Sequence, residues 1–297
     1  MLIFACPGQG SQTPGFLGPW LDSYPSLAGR LKAYSDYCGK DLIQLGTEAD
    51  EESIRDTAVA QRLIVGSSLA IYREVFSGLA LDGSVGHSVG EIAAAAIAEV
   101  ISDEDAMKLV GVRADAMAAA AGKVPTSMAA VIGGDFESVN KSISEFGLEV
   151  ANFNGGGQVV AAGGKDAILN LVASPPDKSR VIELKVAGAF HTSFMQDAVD
   201  EVAKFASSIQ ARDPKVAIWS NFDGSRVDSG EKFLELIVRQ ISRPVRWDLC
   251  MESVNIEGCK FVELPPAGAL AGLIKRGADK VLGIAIKSPA DVEKVSA

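Results

Sequence analysis

Histidine is scarce: His87 and His191 are the only two in 297 residues. That excludes a histidine-rich metal cage and leaves few side chains able to move a proton near neutral pH. Cys6, Cys38, Cys250 and Cys259 lie far apart with no C-x-x-C spacing. Neither a thiolate zinc site nor a disulfide framework is expected, and the four read as reduced packing residues. Basic residues are outnumbered, 28 Lys and Arg against 38 Asp and Glu, for a net charge of -10 and a pI near 4.8. A sequence-independent nucleic-acid binder needs the opposite balance, so no nucleic acid is expected. No uninterrupted apolar run of about 18 residues occurs, which leaves no membrane span. The short apolar start has no basic segment before it and runs into Pro7-Gly8, unlike a secretory signal, so the expectation is a cytoplasmic protein.

What is present is an ordinary globular composition, 47% apolar with a mean hydropathy of +0.18, and the length suggests about two domains. Short β-rich runs alternate with helical patterns: Leu2–Cys6, a helical region from about Ser53 to Leu79, Gly83–Gly86, then Glu91–Val100 and Asp103–Ala121. Later runs at Val216–Trp219, Lys260–Leu264 and Val281–Ile286, with helical patterns around Lys232–Ile241 and Leu270–Lys275, extend the same scheme. Alternation of this kind implies βαβ units and a parallel sheet. Between about Ala121 and Val186 the order becomes β-α-β-β-α-β: Met128–Ile132, Phe136–Phe146, Glu149–Asn152, Val159–Ala162, Asp166–Val172 and Val181–Lys185. That is a ferredoxin-like order. The expected fold is α/β: an α/β-hydrolase-like large domain with a parallel sheet (1–120 and 187–297) and an inserted ferredoxin-like small domain (121–186).

Gly86-His87-Ser88-Val89-Gly90 matches G-x-S-x-G between a strand and a helical run, the context of a nucleophile elbow. The turn lifts a serine hydroxyl to a helix N-terminus, where the dipole and the Val89 N–H can stabilise an oxyanion. The plainer alternative is a Gly-Ser turn with a helix-capping serine. A serine nucleophile needs a base. His87, adjacent to Ser88, should point away from it, so if histidine serves, His191 does so by elimination.

Six ordered segments, from Pro7 to about Lys275, together resemble the malonyl-CoA:acyl-carrier-protein transacylases. They are Gly8-Gln9-Gly10-Ser11-Gln12, Gly86 to Glu91, Gly111 to Met117 around Arg113, Asn152-Phe153-Asn154 before Gln158, Gly188 to Met195 around His191, and Val238-Arg239-Gln240 before Pro244 to Trp247. The resemblance implies Ser88 as nucleophile and His191 as general base and acid, oriented by the backbone carbonyl of Gln240. It implies an oxyanion hole from the N–H groups of Gln9 and Val89. Arg113 would clamp the malonate carboxylate, as a planar guanidinium does bidentately, with Phe190, Met117 and Asn154 also against substrate and Phe190 favouring malonyl over methylmalonyl. Malonyl-CoA would be the substrate and an acyl carrier protein the partner, with phosphopantetheine as acceptor and no permanently bound cofactor or metal.

Two departures from the family pattern, Asn154-Gly155-Gly156-Gly157 and Glu263 to Gly268, are expected in loops. Because carriers are acidic and so is this chain, docking implies a local basic patch, for which Lys178, Arg180, Lys185, Arg239, Arg243 and Arg246 are candidates. The competing activity is a serine esterase or thioesterase acting on acyl-CoA. A non-catalytic acyl-CoA-binding protein of the same fold is the alternative from another class.

Overall fold

Leu2–Cys6 forms the first strand, β1, and every residue from Ile3 to Cys6 is buried, as the centre of a parallel sheet covered on both faces requires. The computed structural model describes residues 1–296. The remaining strands are β2 (Gly83–Gly86), β3 (Thr126–Gly133), β4 (Glu149–Gly155), β5 (Gln158–Gly164), β6 (Ser179–Leu184), β7 (Ala217–Trp219), β8 (Val245–Arg246), β9 (Cys259–Glu263) and β10 (Val281–Ala285). They make two five-stranded sheets. One has the order β10-β9-β1-β2-β7 and every pairing in it is parallel, the α/β arrangement expected from the sequence.

The pleat sends alternate residues of β1 to opposite faces. Phe4 and Cys6 enter one cluster with the helices Thr57–Ile71 and Gly90–Ile97, while Ile3 and Ala5 join Val85, Trp247 and Phe261 in another. Each fully buried Val, Ile or Phe among them contributes about 1.5–3 kcal/mol. Both helices are buried nearly all round, as elements sandwiched between a sheet and outer helices must be.

The other sheet has the order β6-β3-β5-β4-β8. Its first four strands are antiparallel in the ferredoxin-like order, packed on the helices Phe136–Glu145 and Lys165–Ala173 through Val139, Ile143, Ile168 and Leu171. The fifth strand, β8, comes from outside the segment 121–186 and pairs parallel with β4 at Asn152 and Phe153.

Several features differ from the sequence reading, among them Asn154 and Gly155, which end β4 instead of lying in a loop, and the helices Gln196–Ala206 and Trp247–Val254, where none is expected. Residues 18–47 hold three helices (Gly18–Ser23, Leu27–Cys38 and Leu42–Thr47) where none is expected. The region Ser53–Leu79 is broken at Asp56, whose carboxylate accepts from Ala58 N and starts a new helix at Thr57. Glu263 is not a loop residue: it ends β9, is fully buried, and accepts from Leu270 N at 3.0 Å and Ala271 N at 2.9 Å, capping the helix Ala269–Gly277.

Candidate active site

The carboxyl ends of the adjacent strands β1 and β2 open into a cleft of about 420 Å3, the place where an open parallel sheet binds its ligands. Ser88 follows β2 with φ of 54°, a left-handed conformation in a non-glycine residue. Four bonds hold it there. Cys6 O accepts from His87 N, His87 O from Gly90 N, Ser88 O from Glu91 N, and Asn221 Oδ1 accepts from Ser88 N at 2.8 Å. The flanking glycines are obligatory: a Cβ on Gly90 would lie 2.1 Å from Cys6 O, and one on Gly86 would lie 2.1 Å from the Gly90 carbonyl carbon.

His191, also in the left-handed region with φ of 62°, is buried and faces the serine. Its Nδ1 lies 2.8 Å from Gln240 O and its Nε2 lies 2.7 Å from Ser88 Oγ. A carbonyl oxygen only accepts, so Nδ1 carries the proton and Nε2 is free to accept from the Ser88 hydroxyl. Burial, reinforced by the Arg113 charge, holds the imidazole pKa down to about 3. The imidazole therefore stands neutral at physiological pH. Two strained residues meeting at one hydrogen bond mark a site where strain accompanies function.

Arg113 and Met117 share one face of the helix Asp103–Ala121, one turn apart, and both reach the cleft. The guanidinium is 1% exposed yet touches no carboxylate. It donates to Gln61 Oε1, to Gln240 Oε1 at 3.3 Å and to Ser88 Oγ at 3.4 Å, while its Nε has no partner. Burial pushes its pKa down from 12.5 to about 10, opposed by the field of Glu91. A buried cation with no carboxylate in hydrogen-bond contact, beside the Ser88 hydroxyl, suits an anionic ligand.

The N–H groups of Gln9 and Val89 donate to no protein acceptor among the described residues, and both residues line the cleft. Phe190 and Asn154 line it too. Gln240 stands behind it, its carbonyl on His191. His87 turns away from Ser88, its Nε2 3.1 Å from Asn154 Oδ1 and its ring against Trp247. None of the six proposed docking cations lines the cleft, but Arg276 does, its Nη2 donating to Gln158 Oε1 at 3.2 Å. Gln61, Glu91 and Asn221 are the polar residues that sequence reasoning assigned no role. Among the described residues no three His, Cys, Asp or Glu side chains gather as a metal-binding set, and no helix is long and apolar enough to cross a membrane.

The chain matches the family model described as acyl transferase domain over residues 3–295. It is 44% identical to the malonyl CoA-acyl carrier protein transacylase of Mycobacterium tuberculosis (strain ATCC 25618 / H37Rv), covering 100% of this chain and 99% of that one. The enzyme of the same name from Escherichia coli (strain K12) is 32% identical, with 96% of each chain covered. The crystal structure of MCAT from Mycobacterium tuberculosis superposes with a TM-score of 0.94 over the whole of both chains, at 44% identity. A type II PKS acyl-carrier protein complex with its malonyl-transacylase gives a TM-score of 0.92 at 30% identity, covering 99% of this chain and 98% of that one.

Proposed function

The chain belongs to the acyl transferase family, and from that premise we propose that it moves malonyl from malonyl-CoA to the phosphopantetheine thiol of an acyl carrier protein through an ester on Ser88. The observation that carries the reading is the buried Arg113, hydrogen-bonded to no carboxylate and within 3.4 Å of the Ser88 hydroxyl that faces His191 Nε2.

His191 Nε2 takes the Ser88 proton as Oγ attacks the thioester carbonyl. The tetrahedral oxyanion falls to the N–H groups of Gln9 and Val89, each worth about 3–4 kcal/mol in the transition state. Collapse breaks the C–S bond, and the coenzyme A sulfur leaves with the proton from His191. The malonyl ester keeps its free carboxylate against Arg113. The carrier thiol then gives its proton to His191 and attacks the ester, and the proton returns to Ser88 as malonyl departs. Gln240 O holds the imidazole in one tautomer through both halves, a task other serine enzymes give to a carboxylate. These steps call for no permanently bound cofactor, and the cytoplasm is the setting this reading implies.

Phe190, Met117 and Asn154 belong to the acyl wall of the same cleft, and the segment 121–186 is the small lobe that closes it. Carrier docking through basic side chains belongs to this reading, with Arg276 added for its place at the cleft.

The test is a two-stage transfer: enzyme treated with malonyl-CoA, freed of nucleotide, then offered a holo carrier. Malonyl-carrier formed in one enzyme equivalent supports the ping-pong reading. Rapid release of malonate before any thiol is added would favour the esterase alternative instead.

A further inference from the structure

Behind the cleft wall lies a buried polar network that the transfer steps leave unused. Glu91, in the first turn of the helix Gly90–Ile97, is 0% exposed, and its carboxylate does not cap that helix. Its Oε1 accepts from Asn221 N at 2.7 Å, and its Oε2 accepts from Gln240 Nε2. Gln240 Nε2 also donates to Asn221 Oδ1 at 3.1 Å and Ser88 O at 3.4 Å, while Gln240 Oε1 accepts from Arg113 Nη2. Turned the other way, the amide would aim its NH2 at guanidinium N–H groups and its oxygen at a carboxylate, replacing hydrogen bonds with like-against-like contacts. The acceptors behind the amide therefore set its direction, and the amide in turn sets one edge of the guanidinium.

We propose that Glu91 is a positioning residue for malonyl selectivity: through the Gln240 amide it orients the Arg113 guanidinium toward the acyl carboxylate. The inference rests on the reading of Arg113 as the carboxylate clamp. Burial pushes the Glu91 carboxyl pKa up to about 8, opposed by the Asn221 N–H and the Arg113 charge. Above that pH, where the rates below are read, both of its oxygens accept, one from Asn221 N and one from the Gln240 amide. Glutamine offers one acceptor and would turn an NH2 on either Asn221 N–H or the Gln240 amide.

The experiment measures acyl-enzyme formation from malonyl-CoA and from acetyl-CoA in the wild type, Glu91→Gln, Gln240→Leu and the double variant. Gln240→Leu keeps the backbone carbonyl that holds His191. The ratio of the two rates within one protein does not depend on the fraction folded, so a destabilised variant still reports. Each single substitution is expected to lower the malonyl-to-acetyl ratio about tenfold or more, and the double by no more than the larger single, as coupled residues behave. A purely structural Glu91 would slow both substrates together. An unchanged ratio in Glu91→Gln, or losses that multiply in the double variant, would overturn the proposal. Arg113→Ala measured alongside separates the two levels: if it keeps the wild-type ratio, the clamp reading itself has failed.

Discussion

Replacing Arg113 with methionine keeps roughly the length of the side chain and removes its charge. Burial holds the arginine pKa from 12.5 down to about 10, so keeping that cation inside costs about 3 kcal/mol. Methionine removes that cost but leaves the Oε1 atoms of Gln61 and Gln240 without the guanidinium donor, at about 1–3 kcal/mol each where no water replaces it. The two terms nearly cancel, so Arg113→Met should melt within about 5 °C of the wild type. Catalysis should not be spared. A charge-assisted hydrogen bond to the malonyl carboxylate is worth about 1.5–3 kcal/mol, or roughly 10- to 160-fold in kcat/KM for malonyl-CoA. Acetyl-CoA has no carboxylate to lose and should react at an unchanged or higher rate. Rapid-quench acylation with both thioesters, beside a thermal melt, reads all three quantities. A malonyl-to-acetyl ratio equal to wild type in a folded variant would refute the clamp.

The oxyanion role assigned to Gln9 belongs to its backbone, so Gln9→Ala, which loses the side-chain bond to Arg55 O, should keep kcat within about threefold, whereas Gln9→Pro, lacking the N–H, should lose about 10²–10³. Steady-state transfer assays separate the two. His191 stays neutral until the pH nears about 3, so kcat/KM should show no inflection near pH 6.5 in a profile from about pH 5 to 8. Below pH 6.5 the unfolded chain binds a proton that the folded chain refuses, so this residue should lower stability as the pH falls, read by melts across that range. Gly90→Ala drives a Cβ into Cys6 O and should cost about 3 kcal/mol or more in a denaturation curve.

The elbow was legible because its elements are local: a short buried strand, two glycines and a helix start within eight residues. His191 was legible because so few histidines compete, and Gln240 only through the family resemblance, since a backbone carbonyl leaves no trace in residue type. Gln61, Glu91 and Asn221 were not legible as parts of the site. Asn221 meets Ser88 across 133 residues through the pairing of β2 with β7, and Gln61 meets Arg113 across 52 through the packing of the helices Thr57–Ile71 and Asp103–Ala121; no local pattern announces either. Glu91 stood inside the quoted motif, but what it holds comes from two distant segments. Of the helices at 18–47 the first and third have only six residues each, too few for a period to show, whereas Leu27–Cys38 buries Leu27, Leu31, Tyr34 and Cys38 at helical spacing and was readable from that pattern. Asp41 before Leu42 was likewise readable as an N-cap, and its carboxylate does accept from Ile43 N and Gln44 N.

Transfer by this route requires that Ser88 itself carry the malonyl group. Intact-protein mass spectrometry after brief incubation with malonyl-CoA tests it most directly. One malonyl adduct is expected on the wild type and none on Ser88→Ala. An adduct that persists in Ser88→Ala, or a wild type that stays unmodified, would contradict it.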